Sequence, residues 1–481
     1  MNLFRRKTID ACLQDIANPE TSLKKALGPW HLIALGIGAI IGAGIFASIG
    51  TAAAGDLLRP GAGPAIILSF ILTAIACGFA ALCYAEFAAM VPISGSAYTY
   101  SYATLGELIA WIIGWDLIIE YAVGNVAVAI SWSGYFTQLL SGLGIRFPVW
   151  LATDLRRALA SPEILAAAPH IGNVPIVCNL PAALIVLAIT WILVIGIKES
   201  ALFNSIMVLI KLITLGLFVA VGFFYVKPEN WQPFMPNGWA GVQAGAAVVF
   251  FAYIGFDAVS TVAEECRNPA KDMPRGIIGS LIISTIIYII VAVVLTGILP
   301  FSQLNVSEPL ALALQKIGAH QSAGFVSLGA IISMTAVLLV FQLGQPRIFF
   351  SMARDGLLPP WCAKVHPKYR TPYVTTLITG FVVAFFSAFA SIDEMVDLTN
   401  IGTLFAFVLV CVGILILRVR EPNRLRPFKA PLFPWVPILG ILSCFYLMMG
   451  LPQITWIRFG VWLAVGMIFY FAYGSRHSRL G

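Results

Sequence analysis

The chain has 481 residues, 59% of them hydrophobic and only 11% charged, with a net charge of +7. Soluble domains carry about 25% charged residues, which excludes a water-soluble globule of this length. The sequence reads as an all-α integral membrane protein whose excess of cations belongs to loops at a membrane surface, so no nucleic-acid partner is needed to explain it.

The N-terminal segment, 1–30, opens Met1-Asn2-Leu3-Phe4-Arg5-Arg6-Lys7 and stays polar to about Leu27. It lacks the apolar run and small-residue cleavage site of a signal peptide and reads as a cytoplasmic segment. Beyond it, apolar runs bounded by Pro, Gly and charge predict twelve transmembrane helices. Their cores lie at 31–54, 64–90, 98–140, 176–197, 201–226, 240–262, 276–299, 322–352, 373–390, 395–417, 434–450 and 454–473. A spanning helix needs about 20 apolar residues, so the third and eighth are long enough to tilt or project.

The first of these contains G-I-G-A-I-I-G-A-G-I-F, residues 36–46, with four glycines in one apolar run. Glycine costs roughly 1 kcal/mol per position in a helix interior relative to alanine. Two readings fit: a small-residue packing face, or an unwound site whose backbone meets a ligand. The third span holds Asp116 and Glu120, one turn apart in W-D-L-I-I-E-Y. They stack on one helix face, and two carboxylates held away from water do not both ionise readily.

The fifth span carries Lys211 in V-L-I-K-L-I-T-L, on one face with Asn204 and Thr214. A lysine at the bilayer centre costs about 2.5–3.5 kcal/mol on insertion scales, so it faces protein or a polar cavity. It is either half of a buried ion pair that cements helices or part of a transport mechanism. The sixth span, F-F-A-Y-I-G-F-D-A-V-S-T, is interrupted at Gly255, with Asp257 two residues later. Asp257 is either a cap for the second half-helix or a proton carrier.

Lys and Arg divide unevenly between alternate loops. With the N-terminus in the cytoplasm, that side holds twenty of the 29 and the other side seven, so both termini are expected to be cytoplasmic. The remaining two are Lys211 and Arg347, the latter near a span end from which it can snorkel to the interface. Eight cysteines without CxxC spacing read as free thiols, and five scattered histidines give no metal site and no catalytic cluster. No cofactor is expected, and an integral-membrane enzyme finds no support. A channel or receptor fits two interrupted helices less well than a transporter does.

Interrupted spans in corresponding positions, five helices apart, point to an inverted-repeat transporter. The expected division is a first repeat at 31–226, a second at 227–418, and two further helices with the C-terminus at 419–481. An odd number of helices in each repeat sets the two halves in opposite orientation.

Several ordered motifs carry a family resemblance. The G-I-G-A-I-I-G-A-G-I-F run, V-P-I-S-G-S-A-Y-T-Y, G-W-D-L-I-I-E-Y, G-I-K-E-S, R-N-P-A-K-D-M-P-R and F-S-M-A-R-D-G-L-L-P together resemble the amino acid–polyamine–organocation superfamily. Within it they resemble the bacterial cationic amino acid transporters, from about Leu23 to Pro431. The resemblance implies a five-plus-five inverted-repeat (LeuT-type) fold with two peripheral helices, in the cell membrane. It places the substrate α-carboxylate at the amides of Gly42, Ala43 and Gly44, and the α-ammonium at the carbonyls of Ile40, Phe251, Ala252 and Ile254. Phe251 would be the aromatic gate. Lys211 would occupy the place of a sodium ion and couple transport to protons. Asp257 and Glu120 are the further candidates for coupling, or for meeting a cationic side chain. Ala43 departs from relatives with a hydroxyl there.

Tyr253 and Met334 are expected to shape the pocket, and its apolar character favours neutral or broad-range L-amino acids. Arginine or lysine uptake and amino acid/polyamine exchange stand as alternatives. The expected partners are the amino acid, a proton and membrane lipids.

Overall fold

The computed structural model describes residues 5–6, 27–56, 58–91, 96–159, 161–172, 174–196, 201–369 and 371–479. Lys7, Lys24, Lys25, Lys198 and Arg370 of the charge asymmetry, Cys12, and most of the 1–30 segment lie outside them. Among the described residues, eight helices are long and apolar enough to cross a membrane, and a bent pair makes a ninth. Three shorter apolar helices, Leu180–Ile195, Tyr373–Phe389 and Trp435–Met449, accompany them. The chain is a multi-pass helical membrane protein.

α1 (Pro29–Ile40) begins on a proline, whose missing N–H is no loss in a first turn. It stops at Ile41, where the backbone is extended, and resumes as α2 (Gly44–Ala54), bent by 44° and opening with a π-turn over Gly44–Ser48. α3 (Ile66–Met90) follows a short hairpin, Gly55–Asp56 with Arg59–Pro60. The third expected helix is in fact two, α4 (Ser96–Thr104) and α5 (Glu107–Gly142). They part at Gly106, whose φ of +105° is a conformation L side chains rarely adopt. α6 (Leu180–Ile195) is capped by Asn179, whose side chain accepts the Ala182 N–H at 3.3 Å. α7 (Ala201–Gly222) carries Lys211.

α8 (Gly238–Val249) tightens to 3-10 over Phe250–Tyr253, breaks, and continues as a 3-10 segment over Asp257–Glu265. α9 (Pro269–Ile298) starts earlier than its apolar core, because the polar R-N-P-A-K-D-M-P-R stretch supplies its first turns. The short α10 (Pro309–Lys316), whose apolar residues are almost all buried, was not foreseen in the sequence. Then come α11 (His320–Arg354), α12 (Tyr373–Phe389), α13 (Ile392–Arg420), α14 (Trp435–Met449) and α15 (Gln453–Phe469).

The core is built by α5 against α11 and α13, by α9 against α1 and α3, and by α7 against α1 and α11. Large apolar side chains point outward instead on α7 (Leu209, Ile213), α12 (Phe381, Phe385) and α15 (Ile457, Ile468), the faces a lipid solvent requires. α15 is held to α5 through indoles. Trp111 Nε1 donates to the Gly466 carbonyl at 3.0 Å and Trp115 Nε1 to the Trp462 carbonyl at 2.9 Å. Arg347 is exposed, and Cys77, Cys83, Cys178, Cys362, Cys411 and Cys444 are free thiols.

Candidate functional site

The two helix breaks meet back to back. A Cβ built on Gly44 would lie 2.2 Å from the Ala252 Cα, so only a glycine allows this approach. Gly255 has φ +121°, and a Cβ there would lie 2.8 Å from the Ala39 carbonyl. Each break is thus a glycine pressed against the backbone of the other. The first run both packs and breaks, at different residues. A Cβ on Gly36 would strike Ser280 of α9, one on Gly38 would crowd Val208 and Asn204 of α7, and one on Gly42 would lie 3.0 Å from Val337 of α11.

Breaking a helix strands backbone carbonyls, and in a membrane core each needs a donor. The Lys211 ammonium, fully buried, donates to the carbonyls of Gly38 and Ile41 (2.9 Å to the latter). Among the described residues it has no carboxylate partner, so the buried ion pair is not what holds it. Its nitrogen lies at the C-terminal end of α1, where the helix dipole places partial negative charge that would favour a cation. The Tyr288 hydroxyl of α9 lies 2.9 Å from the Ile40 carbonyl and 2.8 Å from that of Ala252. With one proton it donates to one at a time and so ties the two breaks together. Tyr135 of α5 donates to the Phe46 carbonyl at 2.6 Å, which the π-turn leaves displaced from the regular helical pattern. Asn400 of α13 donates to the Ala247 and Val248 carbonyls at 2.7 and 3.2 Å, closing the end of α8.

The Gly42, Ala43 and Gly44 amides stand where α2 begins, at the positive end of that half-helix. Phe251 and Ile254 are buried on the second break, and Tyr253 turns toward α3, donating to the Phe70 carbonyl at 3.0 Å. Met334 is fully buried on α11, one turn before Val337. The Asp257 carboxylate accepts the Gly255 N–H at 3.2 Å, so it braces the break as well as sitting beside it.

Glu120 and Asp257 come together across a cavity lined also by Tyr121, Ile254, Gly255, Ala258, Val340 and Phe341. Its volume is about 10 Å³. That is roughly what one water occupies, so this cavity has no room for a substrate. Asp116 is not part of this group. Its carboxylate faces Gly402 of α13 and makes no hydrogen bond among the described residues.

Tyr288, Tyr135, Val337 and Asn400 were not singled out from sequence. Tyr288 left a trace, as a lone phenol in the apolar run I-I-Y-I-I-V.

These features define a class: a polytopic helical membrane protein in whose core two interrupted helices cross. The sequence matches the amino acid permease family over residues 27–472. It is 49% identical over 480 residues to the branched-chain amino acid permease BcaP of Bacillus subtilis, covering 100% of this chain and 99% of that one. It is 46% identical over 479 residues to the methylthioribose transporter of the same organism, with the same coverage. It is 36% identical over 428 residues to the vacuolar cationic amino acid transporter 4 of Arabidopsis thaliana, covering 88% and 68%. The chain belongs to the amino acid permease family, and its function is amino acid transport, not catalysis.

Proposed function

We propose that the protein takes up neutral or broad-range L-amino acids across the cell membrane, coupled to protons, by alternating access. The observation that carries this reading is the apposition of the two breaks, Gly44 on Ala252 with Tyr288 bridging them. In this reading the bent pair, the eight long helices and the three short apolar ones make twelve crossings with both termini in the cytoplasm. Residues 31–226 and 227–418 are the inverted repeats of a LeuT-type fold, and α14 and α15 stand outside them.

The substrate carboxylate meets the amides of Gly42, Ala43 and Gly44. Its ammonium meets the carbonyls of Ile40, Phe251, Ala252 and Ile254 once Tyr288 yields, and Phe251 covers it. Val337 and Met334 set the depth of an apolar pocket, which suits a branched or small side chain. The 49% identity to a branched-chain permease supports the same choice. Lys211 supplies a cation among backbone carbonyls where a sodium-coupled protein would need the ion itself, so sodium coupling is disfavoured. Deprotonation of Lys211 would release the α1 carbonyls, with Glu120 and Asp257 as the further proton-accepting groups.

One observation favours a second reading. Glu120 and Asp257 line one small cavity beside the break, and two acidic side chains there would meet the cationic end of arginine, lysine or a polyamine if the cavity opens. Proteoliposomes separate the readings. Leucine, alanine, arginine, putrescine and methylthioribose are offered under a pH gradient, a sodium gradient, or with internal substrate. The proposal expects leucine or alanine accumulation driven by the pH gradient and lost in Lys211→Ala while exchange persists. Arginine accumulation, or counterflow alone, supports the second reading, and undiminished proton-driven uptake by Lys211→Ala removes the coupling role.

A further inference from the structure

We propose that the cavity at the end of α11 is a binding site for an anionic phospholipid. Its phosphate is held by Arg354 and Arg479, and its chains lie on Phe350 and Val365. The cavity holds about 400 Å³ and is also lined by Gly356, Leu358, Pro360, Ala363, Tyr473 and His477. That is forty times the space beside Glu120, and it falls within the range of ligand pockets, about 300–1,000 Å³.

The C-terminal wall is fixed to the bundle. Tyr470 donates to Glu107 Oε1 at 2.9 Å, and Ser478 donates to Glu107 Oε2. The Arg479 N–H donates to the Asp355 carbonyl at 3.1 Å. A Cβ on Gly356 would lie 2.2 Å from the His477 carbonyl, so the 356 turn and the C-terminal segment are in direct contact. His477 stacks on Tyr473 with ring centroids 4.1 Å apart.

Charge identifies the ligand. Both arginines are exposed, and neither has an ion pair among the described residues. None of the described lining residues is acidic. The nearby carboxylates are engaged elsewhere: Asp355 accepts the Tyr98 hydroxyl at 2.7 Å, and Glu107 is held as above. Two unmatched guanidiniums call for an anion that offers several oxygens, which a phosphate does. The rest of the wall is apolar, and the turn beside it exposes Trp361, Val365 and Tyr369 together with Lys364 and Lys368. Aromatic and basic residues together mark headgroup depth. A free phosphate would use the arginines and leave Phe350 and Val365 bare, whereas a phospholipid covers both.

The test is native mass spectrometry of the full-length protein in detergent with phosphatidylglycerol, phosphatidylcholine or inorganic phosphate added. Wild type is expected to retain phosphatidylglycerol over phosphatidylcholine. Each basic residue near an anionic headgroup is worth about fivefold, so Arg354→Gln with Arg479→Gln is expected to weaken that retention roughly thirtyfold. Ala363→Trp, which fills the cavity and keeps both arginines, is expected to give a comparable loss. Equal retention of both lipids, an arginine variant that binds as wild type, or an Ala363→Trp protein that binds as wild type overturns the site. Displacement of phosphatidylglycerol by inorganic phosphate overturns the lipid as its occupant.

Discussion

Tyr288→Phe isolates the link between the two breaks. The change deletes one oxygen and keeps the ring, so the contacts with Phe70 and Tyr253, each 5.5 Å between centroids, survive. The hydroxyl has two carbonyls in range but one proton, so the folded state loses one hydrogen bond, not two. Such a bond contributes about 0.5–1.5 kcal/mol net, rising to about 3 kcal/mol if the abandoned carbonyl stays dry. Domains are stable by about 5–15 kcal/mol, so the protein stays folded. The same free energy acts on the arrangement seen here, because the hydroxyl lies in range of a carbonyl from each break. A loss of about 1 kcal/mol changes the balance between conformations roughly fivefold. The assay is initial-rate uptake into proteoliposomes across substrate concentrations, with thermal melting of the same preparation. The expected result is a melting temperature within a few degrees of wild type and a maximal rate lowered about fivefold. Wild-type rates in a folded Tyr288→Phe protein would refute the idea that this hydroxyl couples the breaks.

Gly44→Val puts a branched side chain where a Cβ alone already lies 2.2 Å from Ala252, and uptake is expected to vanish while membrane insertion persists, measured by transport and by size-exclusion profile. Gly255→Ala is expected to cost about 1–3 kcal/mol through its positive φ and its contact with the Ala39 carbonyl, read as a lower melting temperature and slower uptake. Arg59 donates from Nε to Asp56 at 2.9 Å and from a terminal nitrogen to Asp397 at the start of α13, nearly out of solvent. Arg59→Ala is therefore expected to destabilise the protein by about 3–5 kcal/mol, and Arg59→Met with Asp397→Leu to recover most of it, by thermal melting. Trp115→Ala removes the stack on Trp462, 4.6 Å between centroids, and is expected to cost about 3–5 kcal/mol in stability with little change in uptake per folded molecule, as befits a supporting helix.

Much of the helical layout was legible, because a span must be apolar for its whole length and the charges between spans are conspicuous. What escaped was set by single residues. One positive-φ glycine, Gly106, divides the third expected helix. The polar residues before Gly276 are the first turns of a helix that hydropathy begins too late. Pro309–Lys316 is too short to register against spans of twenty residues, although Leu310 and Leu314 are buried.

The glycines and Lys211 were legible at the site for the same reason: each is costly in an apolar helix unless a specific contact offsets it. Tyr288 and Tyr135 carry less cost on paper, since a tyrosine is an apolar ring with one polar atom. Their role exists only in three dimensions, where a broken helix leaves carbonyls that need donors from other helices. Lys211 and Tyr288 are two answers to that one requirement. Lys211 serves the carbonyls of Gly38 and Ile41, and Tyr288 that of Ile40 together with its counterpart on the second break. The first donor can lose a charge and the second can change acceptor, and those are the two local events the proposed alternating-access cycle would use at this crossing.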